Sequence, residues 1–214
     1  MICDISNQEL DFLGYMVIDS TIRGRCCGGV RMSSEVTLNE TISLAKNMTL
    51  KCGFLGVPLG GAKVGIHIRG SLSKLRRKLI FTDIGKSLAP LIVRGCYFPT
   101  KDMGTTNEDI DCLLNSATQE KKNWRHAPTP TYTSWTMLVS AVEALSELGL
   151  KLDESTVAIQ GFGGVGNSAA KVFSENGAKI VAISTREGAI YNSKGLNVTE
   201  LLEMRKEFGD DVVN

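Results

Sequence analysis

The chain has 214 residues, with 24 Lys and Arg against 23 Asp and Glu, so its net charge of +1 carries no polyanion-binding surplus and nucleic acid is not an expected partner. Apolar residues make up 43% and charged residues 22%, which excludes a disordered or fibrous protein and is enough for a sizeable core in one large domain or two small ones. Six scattered cysteines (Cys3, Cys26, Cys27, Cys52, Cys96, Cys112) show neither CxxC spacing nor a Cys/His zinc pattern, and there is neither an 18-residue apolar run nor a signal-peptide start, so the expectation is a cytoplasmic protein with free thiols, no metal site and no membrane contact.

Leu13 to Ile18 is a short apolar run that reads as a strand, closed by Asp19 and Ser20. Gly24, Gly28 and Gly29 then fall within six residues, which predicts a tight loop rather than the interior of an element. Ser33 and Ser34 offer capping hydroxyls. Leu38, Ile42, Ala45, Met48 and Thr49 recur at helical spacing, ending near Lys51 at the edge of the next glycine-rich segment. From Gly53 to Ile66 five glycines and a proline rule out a helix, and Val64 to Ile68 reads as a strand. Ser71 to Leu91 is amphipathic, with Leu75, Leu79, Ile80, Ile84 and Leu88 on one face and Lys74, Arg76, Arg77 and Lys78 on a face expected to be solvated. Cys96 to Pro99 reads as a strand leading into a polar loop from Thr100 to Asn107.

Lys121 to Tyr132 is polar and proline-bearing, the best boundary in the chain, and divides it into residues 1–132 and 133–214. Beyond it, Met137 to Leu148 predicts a helix. The apolar strand Thr156 to Gln160 then meets Gly161-Phe162-Gly163-Gly164-Val165-Gly166, a helix from Asn167 to Asn176 and a second strand, Lys179 to Ser184. A lone GxGxxG is weak, but strand, glycines, helix and strand at this spacing form a dinucleotide-binding βαβ unit. Gly161 serves the turn, Gly163 the approach of backbone to pyrophosphate, and Gly166 the packing of helix on strand; the phosphates sit at the helix N-terminus.

Thr185 ends the second strand where an acidic residue would accept from the adenosine ribose 2′-hydroxyl. With Thr185 and Arg186 there, nothing repels a 2′-phosphate, so NAD or NADP is expected. Thr185 to Asn214 leaves room for a short strand or turn and a helix over Val198 to Phe208, against the six strands of a full dinucleotide domain. The expectation is a domain about half present, belonging either to a fragment or to a remnant unable to bind a dinucleotide alone.

Four further segments resemble, in order, the substrate-domain motifs of the Glu/Leu/Phe/Val dehydrogenase family: Gly28-Gly-Val-Arg-Met32, Leu44-Ala-Lys-Asn-Met-Thr-Leu-Lys51, Pro58-Leu-Gly-Gly-Ala-Lys63 and Asp102-Met-Gly-Thr-Thr-Asn-Glu-Asp109. The glycine fingerprint follows where that family places it, and the resemblance runs from about Asp11 to Phe208. It implies an α/β protein with an N-terminal substrate and dimerisation domain built on a mixed sheet, followed by an incomplete Rossmann domain. It also implies NAD(P)-dependent oxidative deamination of an L-amino acid to a 2-oxo acid and ammonia by a homo-oligomer. Lys51 matches the lysine that pairs with the substrate α-carboxylate, Lys63 the catalytic lysine, Asp102 the catalytic aspartate and Thr133 a threonine beside the nicotinamide. Gly29, Met48 and Cys27 fall at substrate-binding positions.

Elementary chemistry agrees with these roles. A carboxylate needs a fixed cation, and Lys51 is a compact one on a scaffold element. Activating water for attack on an imine, and stabilising the carbinolamine formed, suits a lysine readied by burial and a second nearby cation, and Asp102 on a glycine-bearing loop can pass protons to and from nitrogen. Gly-Gly-Ala-Lys63 is no phosphate-binding P-loop, because Ala62 precedes the lysine and Val64 stands where a magnesium-binding hydroxyl belongs. Glutamate-specific members carry a lysine where this chain has Cys27, so the resemblance favours an aliphatic substrate, as in leucine and valine dehydrogenases. The rivals are a glutamate dehydrogenase and an inactive remnant that acts only through self-association.

Overall fold

The computed structural model describes residues 1–70, 72–126 and 129–213. Ser71, where the sequence starts the amphipathic helix, and Ala127, Pro128 and Asn214 lie outside the described residues. The chain divides into two compact units, Met1–His126 and Ala127–Asn214.

The first unit runs β1 (Ile2–Asp4), β2 (Phe12–Ile18), β3 (Cys26–Ser33), α1 (Leu38–Phe54), β4 (Gly60–Ile68), α2 (Lys74–Val93), β5 (Tyr97–Lys101) and α3 (Asn107–Thr118). Its five strands lie in the order β1-β2-β4-β3-β5. β1, β2 and β4 are antiparallel neighbours, whereas β3 runs parallel to both β4 and β5. The sheet is therefore mixed, as expected.

Strand side chains alternate between faces. Cys26, Val30 and Met32 of β3 with Ala62, Val64 and Ile66 of β4 join the core formed with Ile80, Phe81, Ile84 and Leu88 of α2 and Ile110 and Leu113 of α3. The opposite face of β4 presents Gly61, Lys63 and Gly65 to α1. A Cβ on Gly61 would lie 2.2 Å from the Thr49 nitrogen and 2.3 Å from the Ala45 oxygen, and one on Gly65 2.2 Å from Thr41 Oγ1. Helix α1 thus rests directly on the main chain of β4.

Three expectations need correction. Gly28 and Gly29 lie inside β3, not in a loop, and a Cβ on Gly28 would fall 1.6 Å from the Ala62 oxygen; Gly28 serves close approach of neighbouring backbone. Leu75 and Leu79 are exposed, while Arg76 and Arg77, expected on a solvated face, are tied down. Arg76 donates to the carbonyls of Leu10 (3.1 Å) and Asp11 (2.6 Å), and Arg77 grips both oxygens of Asp109 at 2.7 and 2.6 Å. Finally, a helix, α3, follows Thr106 where the reading stopped at a polar loop; it opens with a capping box in which Thr106 and Asp109 satisfy each other's backbone groups.

The second unit runs α4 (Thr129–Glu147), β6 (Thr156–Gln160), α5 (Gly164–Glu175), β7 (Lys179–Ser184), β8 (Ala189–Tyr191), α6 (Val198–Phe208) and a 3-10 turn over Gly209–Val213. β6 and β7 are parallel, and β8 adds antiparallel to β7. β6, β7 and α6 fall where the sequence puts them. α4 starts well before Met137, with Pro130 in its first turn, where the missing N–H costs nothing. Phe162, Ala169, Ala170, Val172, Phe173, Ile180, Ile183 and Leu201 form the core. This is a partial dinucleotide-binding domain: the sheet order is β6-β7-β8, and β6 has no strand on its other edge among the described residues. Tyr132, Trp135, Val139 and Val142 of α4 are exposed. No described helix is long and apolar enough to cross a membrane.

Candidate active site

In the first unit three predicted residues meet on the α1 face of the sheet. Lys63 comes from β4, Gly29 from β3, and Asp102 from the residue just past β5. Gly29 pairs with Thr100 of β5, and the next residue, Val30, is flanked by Val64 on one side and Lys101 on the other. Gly29 therefore sits between the two charged residues. Its missing side chain is the opening through which they meet: a Cβ there would lie 2.8 Å from Asp102 Cβ and 3.3 Å from Lys63 Nζ. The Lys63 ammonium reaches across and bonds Asp102 Oδ2.

Lys63 is only 5% exposed, and a buried ammonium is tolerated only with a partner. Asp102 supplies it. Half-buried itself, Asp102 is pushed upward by desolvation, but the hydrogen bond and charge of Lys63, with help from Arg31 and a backbone N–H, outweigh this and hold its carboxyl below the usual carboxylate range. The loop that carries it is fixed to β3. The Asp102 N–H donates to Thr105 Oγ1 (2.9 Å), the Thr105 hydroxyl donates to the Val30 carbonyl (2.8 Å), and Met32 N–H donates to the Met103 carbonyl (3.0 Å). Gly104 adopts φ +77 with its α-carbon against the Met32 oxygen, a position closed to any other residue.

Arg31 completes the cluster. Two residues along β3 from Gly29, on the same face, it donates from Nε to Asp102 Oδ2 (3.1 Å) and from Nη1 to Glu40 Oε1 (2.7 Å) in the first turn of α1. Arg31 belongs to the Gly28–Met32 motif without an assigned role, and Glu40 to no motif. The signal was the period-two spacing that sets Gly29 and Arg31 on one strand face.

Lys51 stands in the last turn of α1, exposed, and Met48 half-buried one turn before it. Cys27 is half-buried, its Sγ 3.7 Å from that of Cys52. Burial first, then the contact with Cys52, pushes the Cys27 thiol up to about 12, and the charge of Lys51 opposes this. Cys27 is therefore neutral at physiological pH and, as read from the sequence, brings no cation.

In the second unit the fingerprint forms one turn between β6 and α5. Gly161 takes φ +88, and a Cβ on Gly166 would fall 1.9 Å from the Gly161 oxygen, so turn and close packing both require glycine. Gly163 is the N-cap of α5; no side chain caps the helix and nothing lies within 4 Å of where a Cβ would point. The N–H groups of Gly164 and Val165 lie in the first turn of α5, where a helix leaves its donors without intrahelical partners. Phe162 turns its ring into the core, 1% exposed, leaving its main chain for a ligand. Thr133 is half-buried in the first turns of α4, and its neighbour Ser134, fully buried, lies with Oγ 3.4 Å from the Val165 carbonyl. At the end of β7 the Thr185 hydroxyl donates to the Asp210 carbonyl (2.7 Å) and accepts from Glu187 N–H (3.1 Å), while Arg186 is exposed.

A lysine–aspartate pair on a mixed sheet, in a chain that also carries a βαβ unit with a GxGxxG turn, is the arrangement expected of a two-domain protein of the dehydrogenase type. The chain belongs to the Glu/Leu/Phe/Val dehydrogenase family: its dimerisation domain matches residues 4–119, and the Glutamate/Leucine/Phenylalanine/Valine dehydrogenase domain matches residues 126–214. Among curated relatives, a glutamate dehydrogenase of Thermotoga maritima is 32% identical over 92% of this chain and 51% of its own length. The catabolic NAD-specific glutamate dehydrogenase of Bacillus subtilis is 29% identical over 92% of this chain and 50% of its own. The chain thus spans about half the length of the curated relatives it matches. A hetero-hexameric glutamate dehydrogenase from Thermus thermophilus, solved in a Leu-bound form, superimposes with a TM-score of 0.83 at 24% identity, over 98% of this chain and 55% of that one, a likeness of fold.

Proposed function

We propose that this protein takes part in the reversible NAD(P)-dependent oxidative deamination of L-glutamate to 2-oxoglutarate and ammonia, with Lys63 and Asp102 as the catalytic pair. The observation that carries the reading is the Lys63–Asp102 ion pair closed across Gly29, in a chain of this family. Glutamate takes the place of the aliphatic amino acid expected from Cys27, because the curated relatives described above bear that name; Cys27 is the residue that argues the other way.

Lys51, a fixed cation at the end of α1, holds the α-carboxylate. Lys63 positions and activates the attacking water and stabilises the oxygen of the carbinolamine, and Asp102 exchanges protons with the amino nitrogen as it becomes imine and then ammonia. NAD or NADP, held at Gly161 to Gly166 with Thr133, Thr185 and Arg186 nearby, supplies the hydride acceptor. Association into a homo-oligomer through residues 4–119 is part of the same reading, since that segment matches the dimerisation domain of the family.

The test is the steady-state rate of NAD and NADP reduction by the purified protein with glutamate, leucine and valine in turn. Glutamate should give the highest kcat/KM, and Lys63→Met should lower it by at least about a hundredfold. A preference for leucine or valine would reinstate the aliphatic reading. Absence of turnover with all three amino acids would overturn the proposal.

A further inference from the structure

Asp102 Oδ2 accepts from two cations at once, Lys63 and Arg31, and only one of them is suited to proton transfer. A lysine ammonium can give up its proton or swing toward substrate, whereas a guanidinium stays charged and planar throughout the pH range of proteins. We propose that Arg31 is the positioning residue for Asp102, holding the carboxylate at the Gly29 opening when the Lys63 ammonium turns away from it. This rests on the catalytic reading of Lys63 and Asp102 given above.

The geometry supports a clamp rather than a chance surface contact. The Arg31 side chain is 21% exposed and spans two carboxylates, Asp102 at 3.1 Å through Nε and Glu40 at 2.7 Å through Nη1. These groups come from three elements: β3, the loop after β5, and the first turn of α1. Glu40 is itself fixed, its backbone N–H donating to the Thr37 hydroxyl that caps the helix, so the far end of the guanidinium is anchored. Without Arg31, a working cycle that draws Lys63 toward water or an imine would strand a half-buried carboxylate with no counter-ion. Such a group rotates toward solvent or takes up a proton. With Arg31, Asp102 keeps both its place and its charge, ready to accept a proton from nitrogen. Lysine at position 31 would keep the charge but could not reach both carboxylates with a rigid fork.

The experiment reproduces the disengaged state of Lys63. The Asp102 carboxyl is titrated by carbon-13 NMR in the wild type, in Lys63→Met, and in Lys63→Met combined with Arg31→Gln. Asp102 should titrate at least about one pH unit lower in Lys63→Met than in the double variant. Equal titration in the two variants would overturn the proposal. Should the double variant fail to fold, Arg31→Gln and Arg31→Lys answer by kinetics. Arg31→Gln should lower kcat about tenfold or more with little change in KM and move the acid limb of the kcat profile upward, and Arg31→Lys should return that limb toward the wild-type position. An unmoved limb in Arg31→Gln would equally overturn it. A wild type that turns over no amino acid would sink the catalytic reading alone, because the NMR titration needs no turnover.

Discussion

Gly29 faces Asp102 so closely that a methyl group added to it would lie 2.8 Å from the aspartate Cβ. Glycine here is a requirement of the ion pair and not of the strand. Gly29→Ala is expected to leave the first unit folded, at a cost of about 1–3 kcal/mol from overpacking, while forcing Asp102 away from Lys63. Urea denaturation and the Asp102 titration measure the two effects separately; an unchanged Asp102 titration in a folded variant would show that the opening is dispensable.

Removing either member of the pair should have unequal effects. Lys63→Met leaves Asp102, which is 25% exposed, still paired with Arg31, so stability should change by no more than about 1 kcal/mol. Asp102→Ala leaves an ammonium that is 5% exposed without its carboxylate and should cost about 3 kcal/mol or more. Denaturant midpoints at constant slope give the comparison, and a reversed order would contradict the burial argument.

Because the Asp102 carboxyl is held below its usual value in the folded state, it is more readily ionised there than in the unfolded chain, where aspartate titrates near 3.9. Its stabilising contribution is complete above that value and disappears as the pH falls through the lower folded one. The difference in unfolding free energy between wild type and Asp102→Asn should therefore stay constant above about pH 5 and shrink as the pH falls below about 4. A difference that grew on acidification would mean that burial, not the cations, governs this carboxylate.

The fingerprint glycines separate packing from binding. Gly166→Ala drives a methyl group against the Gly161 carbonyl and should destabilise the second unit by about 1–3 kcal/mol. Gly163→Ala meets nothing within 4 Å and should cost under about 1 kcal/mol, yet it fills the space over the first turn of α5. Its NADH affinity, followed by fluorescence titration, should fall about tenfold. Equal affinity in Gly163→Ala and wild type would place the pyrophosphate elsewhere.

The elements read correctly from sequence were those whose local pattern and tertiary environment agree. β6, β7 and α6 are short, uniformly patterned and closed by turn residues, so their bounds could be copied from the chain. β3 was lost because Gly28 and Gly29 are turn signals locally, and the reason for them, the backbone of Ala62 and the side chain of Asp102, lies on other strands. α3 was lost because Asn107, Glu108 and Asp109 look like loop, although Thr106 followed by an acid three residues on is a helix start. Within the candidate site, motif resemblance is what singles out Lys63 and Asp102. Arg31 went unassigned because its carboxylate partner is 71 residues away, a pairing no local pattern encodes.

The glycines of β4 that bring α1 onto bare backbone bear on how the residues around Lys51 can vary. Gly61 lets the backbone of Ala45 and Thr49, and Gly65 the Thr41 side chain, come down onto the bare main chain of β4, so the axis of α1, and with it the root of Lys51, is set by these contacts. Met48 is then free to differ in size or polarity without shifting the cation proposed to receive the α-carboxylate, whereas Cys27 packs against Cys52 of α1, next to Lys51. A scaffold of this kind separates the part of a substrate that all amino acids share from the part that distinguishes them, so selectivity can drift by point substitution while the reacting geometry stays where it was.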